Sequence, residues 1–390
     1  MSAERIVIVG AGPAGLSTAR AYRACGGEAE VTLVGEEPLL PYRRPPLTKE
    51  LVRGELGAHE LAIETEDWFA ANDVKLLRGA RVTSIAPEEG VVTLESYVRL
   101  PAETIVLAAG SRPARPPIAG AEHPDVHTIR TLADSERVIA ALDSGQRAVV
   151  VGTGFIGCEL AASLALRGVA VTLIGQERLP QLARLGELAA RRIAAWLAEL
   201  GVELRGESSL AAVHEGRIVE LDDKSRHDAC AVILATGVHP RGELAQASGI
   251  QTSDAGAVIV DAAMRARSAH GNVLAVGDVA CAFNACAGRH LRVEHWGDAL
   301  GHGEVAGRTL AHGDGCWEEV PGFWSTIGAH TLKYAAWGDG FEDARTVSAP
   351  DGSFTVWYER DGATVGVLTH ERDEDYERGR ELIAAGEPAP

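Results

Sequence analysis

Two glycine-rich turns carry the first chemistry legible in this chain. Gly10-Ala11-Gly12-Pro13-Ala14-Gly15 and Gly152-Thr153-Gly154-Phe155-Ile156-Gly157 both read G-x-G-x-x-G. In such a turn the first glycine permits the tight bend, the second lets backbone approach a pyrophosphate, and the third lets a helix pack close to a strand. A helix starting there offers unpaired N–H groups and partial positive charge to phosphate. Glu36 and Glu37 follow the first turn at roughly the 20-residue spacing of an acid that accepts hydrogen bonds from an adenosine ribose. After the second turn the sequence reads Gly175-Gln176-Glu177-Arg178, with Gly175 and Gln176 where the acid is expected. A carboxylate there selects a ribose 2′-OH, whereas a nearby arginine suits a 2′-phosphate. Gln176 can hydrogen-bond either, so NAD and NADP both stay open.

Further polar residues stand near these turns. Pro38, Pro41, Pro45 and Pro46 stiffen the segment carrying Arg43, Arg44 and Lys49, and exclude helix until Leu47. A rigid loop of cations beside a nucleotide turn can place charge near phosphate or flavin; the alternative is a solvated basic loop. Asp278 ends the buried run Asn272–Gly277 and is placed to bind a sugar-like polyol. The six cysteines are scattered. Cys281 and Cys286 have a C-x4-C spacing open to a disulfide, but far from the first turn, so reduced thiols are expected. Cysteine and histidine do not cluster as metal ligands, and no metal is expected.

The elements that must hold these residues follow from periodicity. Arg5–Val9 and Arg147–Val151 are short β-branched runs that read as strands buried on both faces. Leu16–Ala24 and Cys158–Leu166 are helical, and Val31–Val34 and Val171–Ile174 are second strands. Trp68 to Arg81 reads as a helix end and a strand, Val91–Leu100 as one arm of a hairpin, and Thr104–Gly110 as a buried strand. Ser111 to Pro117 looks like a crossing between domains. Ala231–Gly237 mirrors Ile105–Gly110. Two fingerprints with correct flanks imply two dinucleotides on one chain and a relay of reducing equivalents between them.

The expected fold class is α/β, with two Rossmann-like dinucleotide-binding domains and a small C-terminal α+β domain. The first domain is discontinuous, over 1–113 and 241–316, with the second inserted as 114–240. The third, 317–390, is marked by aromatic residues between Phe323 and Tyr358, with strands near Lys333–Trp337, Phe354–Tyr358 and Thr364–Leu368, then a charged helix. At 390 residues, 46% hydrophobic and 24% charged, the chain can bury two or three ordinary cores. The net charge of −18 argues against nonspecific nucleic-acid or anionic-membrane binding. No apolar run approaches the roughly 18 residues of a spanning helix, and the first strand starts too early for a signal peptide. A cytoplasmic protein is expected.

Six stretches together resemble the FAD-dependent ferredoxin reductases: the two fingerprints, Arg44-Pro45-Pro46-Leu47-Thr48-Lys49, Ala275-Val276-Gly277-Asp278, Val293-Glu294-His295-Trp296 and Gly322-Phe323-Trp324-Ser325. That family includes the putidaredoxin, rubredoxin and biphenyl-dioxygenase ferredoxin reductases, with apoptosis-inducing factor as a relative. The resemblance spans nearly the whole chain, and the R-P-P-L-[ST]-K loop is its discriminating part. It implies FAD in the first site, contacted by Ala14, Glu36, Lys49, Val82, Arg130, Asp278 and Trp296. Gly10, Gly12, Pro13, Gly15, Arg44, Ala109, Gly277 and Trp324 complete that set. NADH or NADPH would lie on Gly152, Gly154, Phe155, Ile156 and Gly157, with Gln176 and Gly237. It further implies catalytic roles for Lys49, Glu159 and Trp296, with Glu159 near the nicotinamide and able to pair with Lys49. The chain departs from the family at Gly175, at Thr326 (where an Asp often follows Trp-Ser) and in its short C-terminal domain. Plain structural alternatives are a surface Lys49, a core Trp296, a Trp324 packed in the interior and a Glu159 that only complements a helix dipole.

The implied reaction is electron transfer from NAD(P)H through FAD to a ferredoxin-type iron–sulfur protein of an oxygenase or P450 system. The protein would be a monomer or homodimer with no protein nucleophile. An acidic ferredoxin meeting a net −18 chain needs a local basic patch, for which Arg289, His290, Arg292 and Arg308 are candidates. A flavin NADH oxidase or disulfide reductase is a rival reading, although Tyr42–Lys49 carries no cysteine. A redox-sensing interaction protein, like apoptosis-inducing factor, is another.

Overall fold

The computed structural model describes residues 4–142, 146–267 and 272–390. The described chain groups into two compact units, the first comprising 1–43, 62–112 and 239–323, the second 44–61, 113–238 and 324–390.

The first unit is built on a five-stranded parallel sheet in the order Asn272–Ala275, Thr104–Leu107, Arg5–Val9, Glu30–Val34, Val74–Leu77. Its central strands are buried on both faces, as their continuous β-branched runs require. The helix Pro13–Ala24 crosses from the first strand to the next, and packs against Trp296–His312. That contact is close: a Cβ on Gly303 would stand 2.5 Å from the Ala14 carbonyl oxygen. A three-stranded antiparallel meander, Val82–Ala86, Val91–Leu94 and Arg99–Pro101, completes this part. Val91–Leu100 is therefore a whole hairpin and not one arm, because the chain reverses at Tyr97, which takes a left-handed φ of 64°.

The second unit repeats the plan. Its parallel sheet runs Glu203–Arg205, Ala170–Ile174, Arg147–Val151, Ala231–Leu234, Val126–His127, with a meander at Leu210–His214, Ile218–Leu221 and Arg226–Asp228. The edge strand beside Ala231–Leu234 comes from upstream in sequence. Its counterpart in the first sheet, Asn272–Ala275, comes from downstream. An antiparallel sheet, in the second unit apart from Gly322 and Phe323, has the order Gly322–Ile327, His330–Ala336, Ala363–His370, Phe354–Arg360, Asp343–Ser348, and is followed by the helix Asp373–Ala385. The two outer strands carry no strong apolar alternation, and periodicity does not reveal them.

Two local expectations need correcting. Pro45–Thr48 is a 3-10 helix, which begins two residues before Leu47 because proline's fixed φ suits the opening positions of a helical turn. Ser111–Pro113 is a short strand within the stretch expected as linker. No described helix is long and apolar enough to cross a membrane.

Candidate functional site

The first fingerprint turn is built as its residues require. Gly10 has a φ of 116°, and a Cβ there would lie 2.2 Å from the Ala108 carbonyl oxygen. A Cβ on Gly15 would lie 2.0 Å from the Gly10 oxygen, whereas one on Gly12 would meet nothing within 4 Å. Backbone is thus packed tightly behind the turn and open in front of it. Gly12 caps the helix Pro13–Ala24 without any side-chain hydrogen bond, which leaves first-turn N–H groups for an anion. These features fit a pyrophosphate.

Around that turn, Asp278 is buried and accepts from the Ser111 hydroxyl at 2.7 Å. Gly277, with φ 71°, donates its N–H to His302 Nδ1 at 3.3 Å. That bond leaves the proton of the neutral His302 ring on Nε2, which is buried with no partner among the described residues. Burial pushes the His302 pKa down to about 4, against an opposing pull from the Asp278 charge. The Glu36 carboxylate lies between Arg241 Nη1 at 2.8 Å and Arg81 Nε at 3.7 Å. Arg241 carries no signal in the sequence, because its partner is remote in the chain. Ala109 follows the strand Thr104–Leu107, and Val82 opens the first meander strand. Trp296 is the first residue of its helix and half-buried, so it is not a core tryptophan.

The second turn has the same construction. Gly152 has φ 113° and a virtual Cβ 2.2 Å from the Ala235 oxygen. For Gly157 the clash is with the Gly152 oxygen at 1.9 Å, while Gly154 has only Gln181 Nε2 at 3.8 Å. Gly154 caps the helix Phe155–Leu166 without a side-chain hydrogen bond. Ile156 is exposed in the first turn of that helix, and a Cβ on Gly237 would meet nothing within 4 Å. This turn fits a second dinucleotide.

Hydrogen bonds align the two copies residue by residue. Gly10 N–H donates to Val34 as Gly152 N–H does to Ile174, each at 2.8 Å. Gly35 N–H donates to Leu77 at 2.7 Å, and Gly175 N–H to Arg205 at 2.9 Å. Ala80 N–H donates to the Gly35 carbonyl at 2.8 Å, and Ser208 N–H to that of Gly175 at 3.0 Å. Gly175 is therefore the counterpart of Gly35 and no departure: a Cβ there would strike Thr153, as one on Gly35 would strike Ala11. The residue standing in the place of Glu36 is Gln176.

The second unit also holds a buried polar cluster. Lys49 Nζ donates to Glu159 Oε2 at 2.7 Å, and Thr48 Oγ1 donates to the same oxygen at 2.7 Å. Glu159 Oε1 accepts from Ser325 Oγ at 2.8 Å and from the Thr326 N–H at 3.3 Å. Lys49 is 5% exposed and Glu159 6%, so neither is a surface residue. Charges this buried persist only when paired and hydrogen-bonded. Ser325 and Thr326, remote in sequence from Glu159, carry no local pattern that points to this role. Arg44 donates to the Arg130 carbonyl. Trp324 is 43% exposed, which excludes an interior packing role. Burial pushes the Cys158 thiol well up, and its Sγ is turned to the Thr153 carbonyl. Cys281 lies in the strand Ala280–Asn284 and Cys286 beyond it, and no disulfide forms among the described residues. No group of three or more potential metal ligands is found among those residues.

A family model described as pyridine nucleotide-disulphide oxidoreductase matches residues 4–303. The chain belongs to this family. It is 34% identical to the ferredoxin–NAD(+) reductase component of an anthranilate 1,2-dioxygenase system from Burkholderia cepacia, over 99% of this chain and 95% of that one. It is 32% identical to a ferredoxin–NAD(P)(+) reductase from Sphingomonas sp, over 97% and 92%. Among solved structures, the covalent putidaredoxin reductase–putidaredoxin complex matches with a TM-score of 0.91 at 28% identity, covering 98% of this chain and 93% of that one. The chain is thus an oxidoreductase of the ferredoxin reductase type, and the family implies FAD and NAD(P)H as its cofactors.

Proposed function

We propose that this chain is a cytoplasmic reductase passing electrons from NAD(P)H to a ferredoxin-type iron–sulfur protein serving an oxygenase or P450. The observation that supports this reading best is the doubled, open-fronted glycine turn on a chain similar throughout its length to reductase components of such systems. The chemistry the cofactors supply when bound is the conversion of a two-electron donation into single-electron steps. The protein's task is binding, orientation and charge.

In the first unit, the N–H groups after Gly12 take the FAD pyrophosphate, Glu36 accepts from the adenosine ribose, and Asp278 accepts from the polyol chain. Val82, Ala109 and Trp296 are further contacts in this proposal. In the second unit, Gly152–Gly157 take the pyridine nucleotide pyrophosphate, with Gln176 at the ribose. Lys49 and Glu159 serve the reacting end, and Arg44, Arg130 and Trp324 contact the cofactor. Glu159, held by four donors, fixes the Lys49 ammonium in one place. A fixed cation stabilises negative charge that develops on a reduced ring. The domain division expected from sequence, with an inserted nucleotide domain, belongs to the same proposal. A disulfide-reducing reading is less well supported, because Tyr42–Lys49 holds no cysteine and the Cys158 thiol is buried with its pKa raised.

Anaerobic titration of the purified yellow protein with NADH and with NADPH tests the proposal, with bleaching of the visible spectrum expected. A colourless protein that takes up no FAD, or a yellow one that neither nucleotide bleaches, would refute it. Lys49→Met should slow flavin reduction in stopped flow at least about tenfold, the effect of losing one well-placed electrostatic contact. An unchanged rate removes Lys49 from the reaction.

A further inference from the structure

We infer that the pyridine-nucleotide site accepts a 2′-phosphate, so that NADPH serves this protein alongside NADH, with Gln176 as the residue that sets this tolerance. The inference rests on the proposed nucleotide role of the second fingerprint. Its observation is the alignment of the two copies, in which the exposed Gln176 replaces the ribose-binding carboxylate that Glu36 provides in the first copy. A carboxylate at this place does two things. It accepts from the 2′-OH, and it repels a 2′-phosphate. Much of the selectivity comes from that repulsion. An amide accepts through its oxygen and donates through its nitrogen, so it serves either nucleotide and repels neither.

The neighbouring charges support this. Glu177, the next residue, is the counterpart of Glu37. Both carboxylates are used within the fold: Glu37 Oε2 accepts from the Tyr42 hydroxyl at 2.6 Å, and Glu177 Oε1 from the Ala183 N–H at 3.2 Å. Two arginines stand on the segments that adjoin Gln176. Arg178, two residues on, pairs with Glu187 at 2.7 Å, and Arg205, opposite Ile174 in the sheet, pairs with Glu203 at 2.7 Å. Both pairs are about half exposed, so each arginine can exchange its carboxylate for a phosphate at little cost. A neutral residue thus holds the selecting position, with one arginine two residues on and another at the end of the neighbouring strand.

Equilibrium binding of NAD+, NADP+ and the fragments 5′-AMP and 2′,5′-ADP to the FAD-loaded protein is the test, read by calorimetry so that turnover is not needed. For the wild type, the NAD+ and NADP+ dissociation constants should agree within about tenfold. Gln176→Glu should weaken NADP+ and 2′,5′-ADP by at least about tenfold, the effect of one added like charge at close range, without weakening NAD+. Arg178→Ala should weaken the 2′-phosphorylated pair selectively. A wild-type preference beyond tenfold for either nucleotide, or a Gln176→Glu variant that shifts NAD+ and NADP+ equally, overturns the inference. If neither nucleotide nor either fragment binds, the assignment of the second fingerprint fails, and its selectivity with it.

Discussion

His302 is the residue at which burial and function meet most directly. It sits fully buried behind the Gly277-Asp278 turn, with Nδ1 fixed by the Gly277 N–H. Its pKa lies near 4 in the folded state against an ordinary value near 6.5. The folded protein thus keeps this ring neutral where an unfolded chain would bind a proton. Stability from this group is complete above about pH 6.5 and is lost as the pH falls towards 4, by up to about 3 kcal/mol. Thermal melts of wild type and His302→Gln across pH 4 to 7 should therefore converge at acid pH. The glutamine variant, which cannot be protonated, should show the shallower acid limb. Parallel limbs would show that His302 does not titrate on unfolding. His127 and His330, which burial also pushes down, remain in both proteins and cancel in the comparison.

At the level of elements, the helix Pro13–Ala24 is held to its turn by the helix Trp296–His312. Their backbones approach where Gly303 faces Ala14 and Ser17. A side chain at Gly303 must push the fingerprint helix away, and that helix presents the N–H groups proposed for FAD. Gly303→Val should cost about 1–3 kcal/mol by overpacking. It should also release FAD on dialysis that leaves the wild type loaded. A variant equally stable and equally yellow would show that the two helices can part without loss.

For the molecule as a whole, the net charge of −18 opposes encounter with an acidic iron–sulfur partner, so the proposed transfer needs local positive charge. Arg292 is partly neutralised by Glu294 at 3.2 Å, whereas Arg308 is exposed on the helix Trp296–His312. Arg308→Glu should lower kcat/KM for a ferredoxin several-fold and leave NAD(P)H-driven flavin reduction as it was. Ferredoxin reduction should also slow as salt rises. A rate that rises with salt would mean that repulsion dominates and this patch does not steer.

Much of this is legible in the chain itself, because the strongest signals are local. A buried parallel strand is a β-branched run, and a phosphate turn is three spaced glycines. Arg5–Val9 and Arg147–Val151, with the turns that follow them, are therefore readable from residue types and spacing alone. The loop at Arg44–Lys49 and the glycine–acid pair at Gly277–Asp278 are equally plain. What residue order does not show depends on groups remote from each other meeting in space. The four donors on Glu159 come from Thr48, Lys49, Ser325 and Thr326, and no periodicity links them. Register is of the same kind: counting from Ile174 alone makes Gly175 look like a lost acid. Residue order leaves the acid's place between Gly175 and Gln176, and the strand pairing, fixed by backbone hydrogen bonds across the sheet, gives it to Gln176.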